Sequence, residues 1–500
     1  MSLDRGDGVD VISGVRLTGA DRIDPFRDDP VDVHLSRGVI VDIAPAGGLP
    51  LRGRVLDGTG GWLVPGLWDH HIHTVQWALV AQRVALGEVA SAAEAAAVMG
   101  RARILDDGRR VGTGFRDALW PDAPSADLLD RATGDVPTYL INADVHSVWM
   151  NSAAFRREGF EIQDDGVVRE EPAFEISRRL NLIDTAVADG LVRDALQTAA
   201  SRGVTGVVDL DMAWNAEAWS RRLDAGFDTT RVSFGVYPAL LERAIAEGLA
   251  TGDALDPAGL VRMGSFKAIT DGSLGTRTAA CSHHYPGDPS NFGVMTVPPD
   301  ELVELMTRAT GAGIHCAIHA IGDVANSHAL DAFALTGASG SIEHAQLVAH
   351  ADIPRFARLG VAASVQPEHA VDDRDLTDTI WADQTAQPYP LRALADSGAT
   401  LLFGSDAPVS PLDPWAAMAA AVHRTRGGRA PWQPHQALDA ATALAASTAG
   451  GTSTGSALEP GMVADLALID RDPLASDDAR LRATRAHATL LAGRLTHIGS

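Results

Sequence analysis

The chain has 500 residues, 46% of them hydrophobic and 21% charged, a length and balance suited to a large globular fold with a smaller companion domain. Its 41 basic against 65 acidic side chains leave a net charge of −24, a field that repels phosphate backbones and anionic membrane surfaces and argues against nucleic acid and membrane as partners. No apolar run reaches the length of a membrane span and the N-terminus lacks a basic-then-apolar leader, so the expectation is a cytoplasmic protein that acts on a small molecule, with a homodimer as one possible assembly.

In chain order, Val11-Ile12, Val31–Leu35 and Val39–Ile43 read as short strands separated by turns. Ala464–Ile469 and Leu490–Ile498 repeat that pattern at the other end. Residues 1–61 and 459–500 are therefore expected to form one composite β-sandwich. Between them, residues 62–458 alternate apolar strand-like runs with longer helix-like ones, the pattern of a parallel sheet covered by helices. Eight strands are predicted: Trp62–Trp68, Val204–Asp209, Val232–Tyr237, Gly264–Ile269, His315–His319, Ser341–His344, Val361–Gln366 and Thr400–Asp406. The fold class is thus α/β, a (β/α)8 TIM-type barrel. Residues 75–200 are too long for one loop and carry their own predicted helix, 89–103, and strand, Thr138–Asn142. An insertion after the first strand is placed to serve as a lid.

Asp69-His70-His71-Ile72-His73 follows the first of these strands. Residues i and i+2 of a strand share a face, so His71 and His73 point together towards the barrel axis and His70 points away. The competing reading is a packed cluster of core histidines. Lys267, His319, His344 and Asp406 each stand at the end of a later predicted strand, where a barrel gathers catalytic groups. Imidazole and carboxylate donors suit zinc-like divalent ions. Of the 41 basic residues only Lys267 is a lysine. Arginine cannot give up its proton and a buried lysine can, so this position suits a task that guanidinium cannot perform, with chance retention as the plain alternative. Cys281 and Cys316 read as small buried hydrophobes.

Pro65–His73, Lys267–Ala279, His319–Asp323, Ile342–Gln346, Gly404–Val409 and Leu458–Leu466 together resemble the amidohydrolase superfamily, in particular its YtcJ-like branch of metal-dependent hydrolases, across nearly the whole chain. The resemblance implies two divalent metal ions, zinc foremost, or a single ion. His71 and His73 would hold the buried ion and His319 and His344 the other. Lys267, N-carboxylated, would bridge them. Asp406 would be both ligand and catalytic proton carrier while a metal-activated hydroxide cleaves a C–N bond in an amide, N-formyl group or cyclic amide. It also implies substrate-facing roles for His146, Trp149, Arg277 and His369, and for Asn151. Asp69 and Glu343 are candidates for orienting the imidazoles, and Asp323 for capping the helix after it. Two other readings stand beside this one. A one-metal deaminase of an aminated heterocycle would be expected to carry a Glu three residues after the barrel histidine, where this chain has Gly322. A non-catalytic scaffold would have no need of a full ligand set.

Overall fold

The computed structural model of the chain describes residues 3–18, 29–115, 117, 120–142, 147–169 and 171–499. It divides into two compact units, residues 1–74 with 196–500, and residues 75–195.

In the larger unit eight parallel strands pair in chain order: β1 (Leu67–Ile72), β2 (Val204–Asp209), β3 (Arg231–Val236), β4 (Val261–Ile269), β5 (His315–Ala320), β6 (Gly340–His344), β7 (Ala362–Val365) and β8 (Leu401–Phe403). Helices such as Pro299–Gly311 and Asp323–Thr336 lie between them in sequence and Pro414–His423 follows the last, completing the expected (β/α)8 barrel. Ring closure falls at the candidate site. The Asp406 amide donates to the His71 carbonyl at 2.7 Å and the His73 amide to the Ala407 carbonyl at 2.9 Å. Gly404 permits this approach, since a Cβ there would lie 2.7 Å from the His71 nitrogen.

Both chain ends build one eight-stranded sheet, in the order Arg494–Ile498, Ala486–Leu491, Leu466–Ile469, Trp62–Pro65, Val11–Leu17, Val31–Ser36, Val39–Pro45, with Val55–Asp57 also pairing with Val11–Leu17. Its core joins Ile12, Val33 and Ile40 to Leu466, Leu490 and Leu495. The predicted strand Trp62–Trp68 is in fact two. Trp62–Pro65 pairs antiparallel with Leu466–Ile469 in the terminal sheet, and only Leu67 onward enters the barrel. The chain passes from one sheet to the other at Gly66, where a Cβ would come within 2.2 Å of the Thr205 hydroxyl. The barrel therefore begins after Gly66 rather than at residue 62.

Residues 75–195 form a unit of their own around a five-stranded sheet, ordered Val167–Arg169, Ser147–Met150, Thr138–Asn142, Arg110–Phe115, Val84–Ala85. The predicted strand Thr138–Asn142 is found, and the predicted helix is Ala92–Arg101, capped by the Ser91 hydroxyl accepting from the Glu94 amide. No helix among the described residues is long and apolar enough to cross a membrane.

Candidate metal centre

β1 carries His71 into the barrel with 1% of its surface exposed, and His73 follows at the strand end, the two ring centroids 5.6 Å apart. His71 Nδ1 lies 2.7 Å from Glu343 Oε2, so the carboxylate accepts the Nδ1 proton and Nε2 keeps its lone pair. That Nε2 is 3.5 Å from Asp406 Oδ1, and His73 Nε2 is 3.4 Å from the same oxygen. Two donors each about 2.1 Å from a tetrahedral ion stand about 3.4 Å apart, so these separations are those of ligands around a shared point. His344 packs its ring 4.9 Å from His71 and 4.5 Å from His319. His71, His344 and Asp406 each offer one donor atom, all mutually within 4.8 Å and all buried.

Burial, followed by the Lys267 charge, pushes the His71 imidazole down to about 4. Burial, followed by His319 and His71, pushes His344 well below the ordinary histidine range. Both are therefore neutral donors at neutral pH. Burial works against the Asp406 carboxylate, but His71 and His73 outweigh it and hold it well below its ordinary range. Lys267 is 1% exposed, its Nζ has no hydrogen-bond partner, and burial lowers its affinity for a proton although Glu343 and Asp406 pull the other way. The His73 Nδ1 is likewise buried without a partner. Two neutral imidazoles and a carboxylate beside an orphaned buried amine fit a cation centre and would be costly as ordinary core packing. His344 and Asp406 also carry left-handed backbone, φ 73° and 56°, a strain of about 1–3 kcal/mol each that concentrates at functional sites.

The supporting groups are partly those expected. Glu343 orients His71 as the sequence suggested, and itself accepts from Ser341 Oγ at 2.5 Å. His70 points away, its Nε2 2.8 Å from the Thr448 carbonyl. Asp69, in contrast, touches no imidazole. Its Oδ1 accepts from the His71 and Ser405 amides at 3.1 and 2.9 Å, fastening β1 to the end of β8, and burial raises it to about 7. Asp323 does not cap its helix, whose N-cap is Gly322. Its carboxylate accepts from the Ser282 amide.

Two further residues escape sequence reasoning. Gln366 Oε1 sits 2.9 Å from His344 Nδ1 and fixes that ring. Asp271 is buried, accepts from the Ala280, Ile321 and Gly322 amides, and approaches His319 Nε2 at 3.4 Å. Its only signal was its place in the Thr270-Asp271-Gly272 run after Lys267.

Among the expected substrate-facing residues, His369 stands beside the cluster, its ring parallel to His344 at 6.4 Å and its Nε2 buried without a partner. Arg277 is exposed in a left-handed turn. Trp149 is instead a core residue of the unit 75–195, fully buried against Phe115 and Trp120, its indole donating to the Ser125 carbonyl. Asn151 caps helix Ser152–Glu158 by accepting from the Ala154 amide. Both have structural tasks, since the strand Ser147–Met150 is paired on both sides in that sheet and Asn151 joins it to the helix that follows. His146 lies outside the described residues.

A model of the amidohydrolase family matches residues 54–497. The chain belongs to this family. Among its relatives is YtcJ of Bacillus subtilis (strain 168), which carries an amidohydrolase name and is 26% identical over 88% of this chain and 89% of its own. The N-substituted formamide deformylase of Arthrobacter pascens is also 26% identical, over 89% of this chain and 90% of its own. A crystal structure of an uncharacterized metal-dependent hydrolase from Pyrococcus furiosus superposes with a TM-score of 0.76 at 25% identity, covering 93% of this chain and 99% of that one. This member of the amidohydrolase family is a metal-dependent hydrolase.

Proposed function

We propose that this amidohydrolase cleaves an amide, N-formyl or cyclic amide bond at a centre of two zinc-like ions, His71 and His73 holding one, His319 and His344 the other, with Lys267 carboxylated between them. The observation that carries this reading is the lone lysine itself, buried with no partner for its Nζ and close enough to His71, His344, Glu343 and Asp406 to act on their charge states. When bound, the ions supply a hydroxide at neutral pH and polarise the substrate carbonyl. Asp406, held ionised, accepts the proton of the attacking water and returns it to the leaving nitrogen. Glu343 and Gln366 keep the metal-facing nitrogens of His71 and His344 unprotonated and in place. The formamide-cleaving relative supports a formyl or amide carbonyl as the reacting group.

Lys267→Arg tests this reading, because it keeps a cation but cannot form a carbamate. The expected result is loss of about one metal equivalent by elemental analysis and loss of hydrolysis across a panel of formamides, amides and lactams, a fall of about 10²-fold or more. Unchanged metal content and rate would sink the bridged pair.

A further inference from the structure

The barrel interior is usually filled by bulky branched side chains. Here its lower half, at the N-terminal ends of the strands, holds a cavity of about 600 Å³. Small residues leave it open: Ser233, Ser265, Ala317, Ser341, Ala362 and Ser364, one or two from each of β3 to β7. Water reaches it. Val208, Ser233, Ser265, Ser341, Ala362 and Leu402 point into a closed barrel yet are only half-buried. Its inner end is Glu343, whose other carboxylate oxygen holds His71. Ser265 lies on the cavity wall, and Lys267 stands on the same strand face one pleat higher, beside Ala317 in register. Ser364, opposite Glu343 in register, has a buried hydroxyl with no protein partner. An open cavity therefore runs from the face opposite the strand C-termini up to Glu343 and Ser364, and its wall at Ser265 ends one pleat below Lys267.

We infer that this passage delivers carbon dioxide to Lys267 from below, so that the bridge is loaded without crossing the substrate end of the barrel. The inference rests on the carboxylated-lysine reading above. In the step, the Nζ lone pair attacks the carbon of CO2, an N–C bond forms, and one C=O π bond opens to an oxyanion. The displaced N–H proton leaves to water in the passage. A neutral, linear molecule suits the site. The Glu343 carboxylate closing the inner end repels bicarbonate, and the serine hydroxyls can hydrogen-bond CO2 without binding it strongly.

The test follows ¹³C-carbamate formation by NMR in the full-length, zinc-supplied chain after a pulse of ¹³C-bicarbonate. The double variant Ser265→Leu/Ser364→Leu narrows the inner end, and Ser265→Ala leaves it open. Loading slowed by about tenfold or more in the narrowed protein, with the same final occupancy and with Ser265→Ala at the parental rate, is the expected result. Parental loading rates in a folded double variant would overturn the passage while leaving the bridge intact. No carbamate signal in the parent at equilibrium would overturn the bridge, and the passage with it. If the double variant does not fold, as judged by circular dichroism, Ala362→Leu narrows the passage from β7 and is read by the same criteria.

Discussion

The eight barrel strands end in two very different ways. At their C-terminal ends the side chains are large, polar and crowded: His71, His344 and Asp406 share one space, with Glu343 and Gln366 each holding one ring. Towards their N-terminal ends the same strands carry Ser233, Ser265, Ala317 and Ala362, and the space between them is an open cavity. The upper half spends backbone strain at the non-glycine residues His344 and Asp406 to fix donor positions, while the positive φ angles along the lower cavity fall on glycines, Gly252, Gly259 and Gly340, which adopt them without that cost. One half is organised to hold charge in place and the other to stay open. Substitutions in the upper half should therefore change chemistry steeply, and those in the lower half should change little except access.

The largest effect is expected for Asp406→Asn, which keeps the shape and removes the proton acceptor. The rate of amide or formamide hydrolysis should fall by about 10³-fold. A parental rate would place the proton carrier elsewhere and break the contrast at its strongest point. Glu343→Gln should act through metal rather than through the proton, because it removes the charge that holds the His71 ring. A loss of about 10- to 100-fold in zinc affinity is expected, measured by competition with a chelator. Since Glu343 also closes the inner end of the lower cavity, an unchanged affinity would assign this carboxylate to the open half instead.

Much of the upper half was legible in the sequence, for reasons that differ by residue. His71 and His73 are separated by the strand period, so local spacing alone aligned them. Lys267 was visible through composition, as a single lysine among arginines. His319, His344 and Asp406 needed the barrel register, which the strand alternation suggested, together with the resemblance to the amidohydrolases. Gln366 and Asp271 were not legible, because each meets its histidine only when neighbouring strand ends are assembled. Asp69 misled for the same reason, since its partners are the backbone of its own strand and of Ser405, joined by ring closure. Trp149 misled because loop-like surroundings in sequence became a central strand. The lower cavity left no signal, as its serines and alanines are scattered singly over some 130 residues and share a wall only in the closed barrel.

A smaller effect concerns pH. A free histidine takes a proton near 6.5, but the His71 imidazole is pushed down to about 4 by burial and by Lys267, and His344 shifts in the same direction. Protons compete with metal only below a ligand's own pKa, so His71 should keep its metal as pH falls through 6.5 and release it towards about 4, whereas His73, where burial is outweighed by the Asp406 carboxylate and the imidazole is shifted up, meets proton competition first. Elemental analysis after dialysis across this range checks it. Complete loss centred at 6.5 would mean that the upper half is less enclosed than its geometry indicates.

The smallest effect is expected in the open half. Ser364 Oγ is buried with no protein partner, so Ser364→Ala removes a hydroxyl that contributes no intramolecular hydrogen bond. Stability should change by no more than about 0.5 kcal/mol, read from denaturant midpoints at constant slope. Ser341→Ala is the matched comparison, because that hydroxyl donates to the Glu343 carboxylate at 2.5 Å. A hydrogen bond to a charged group is worth about 1.5–3 kcal/mol, so Ser341→Ala should cost clearly more than Ser364→Ala. The two serines line the same cavity on adjacent strands, so the difference between them isolates the boundary between the halves. Equal and large losses would mean that Ser364 is bound to an ordered water network that carries the rigidity of the upper half downward. Equal and small losses would mean that the grip on Glu343 comes from His71 and Lys267 alone, so that the rigid half ends above Ser341.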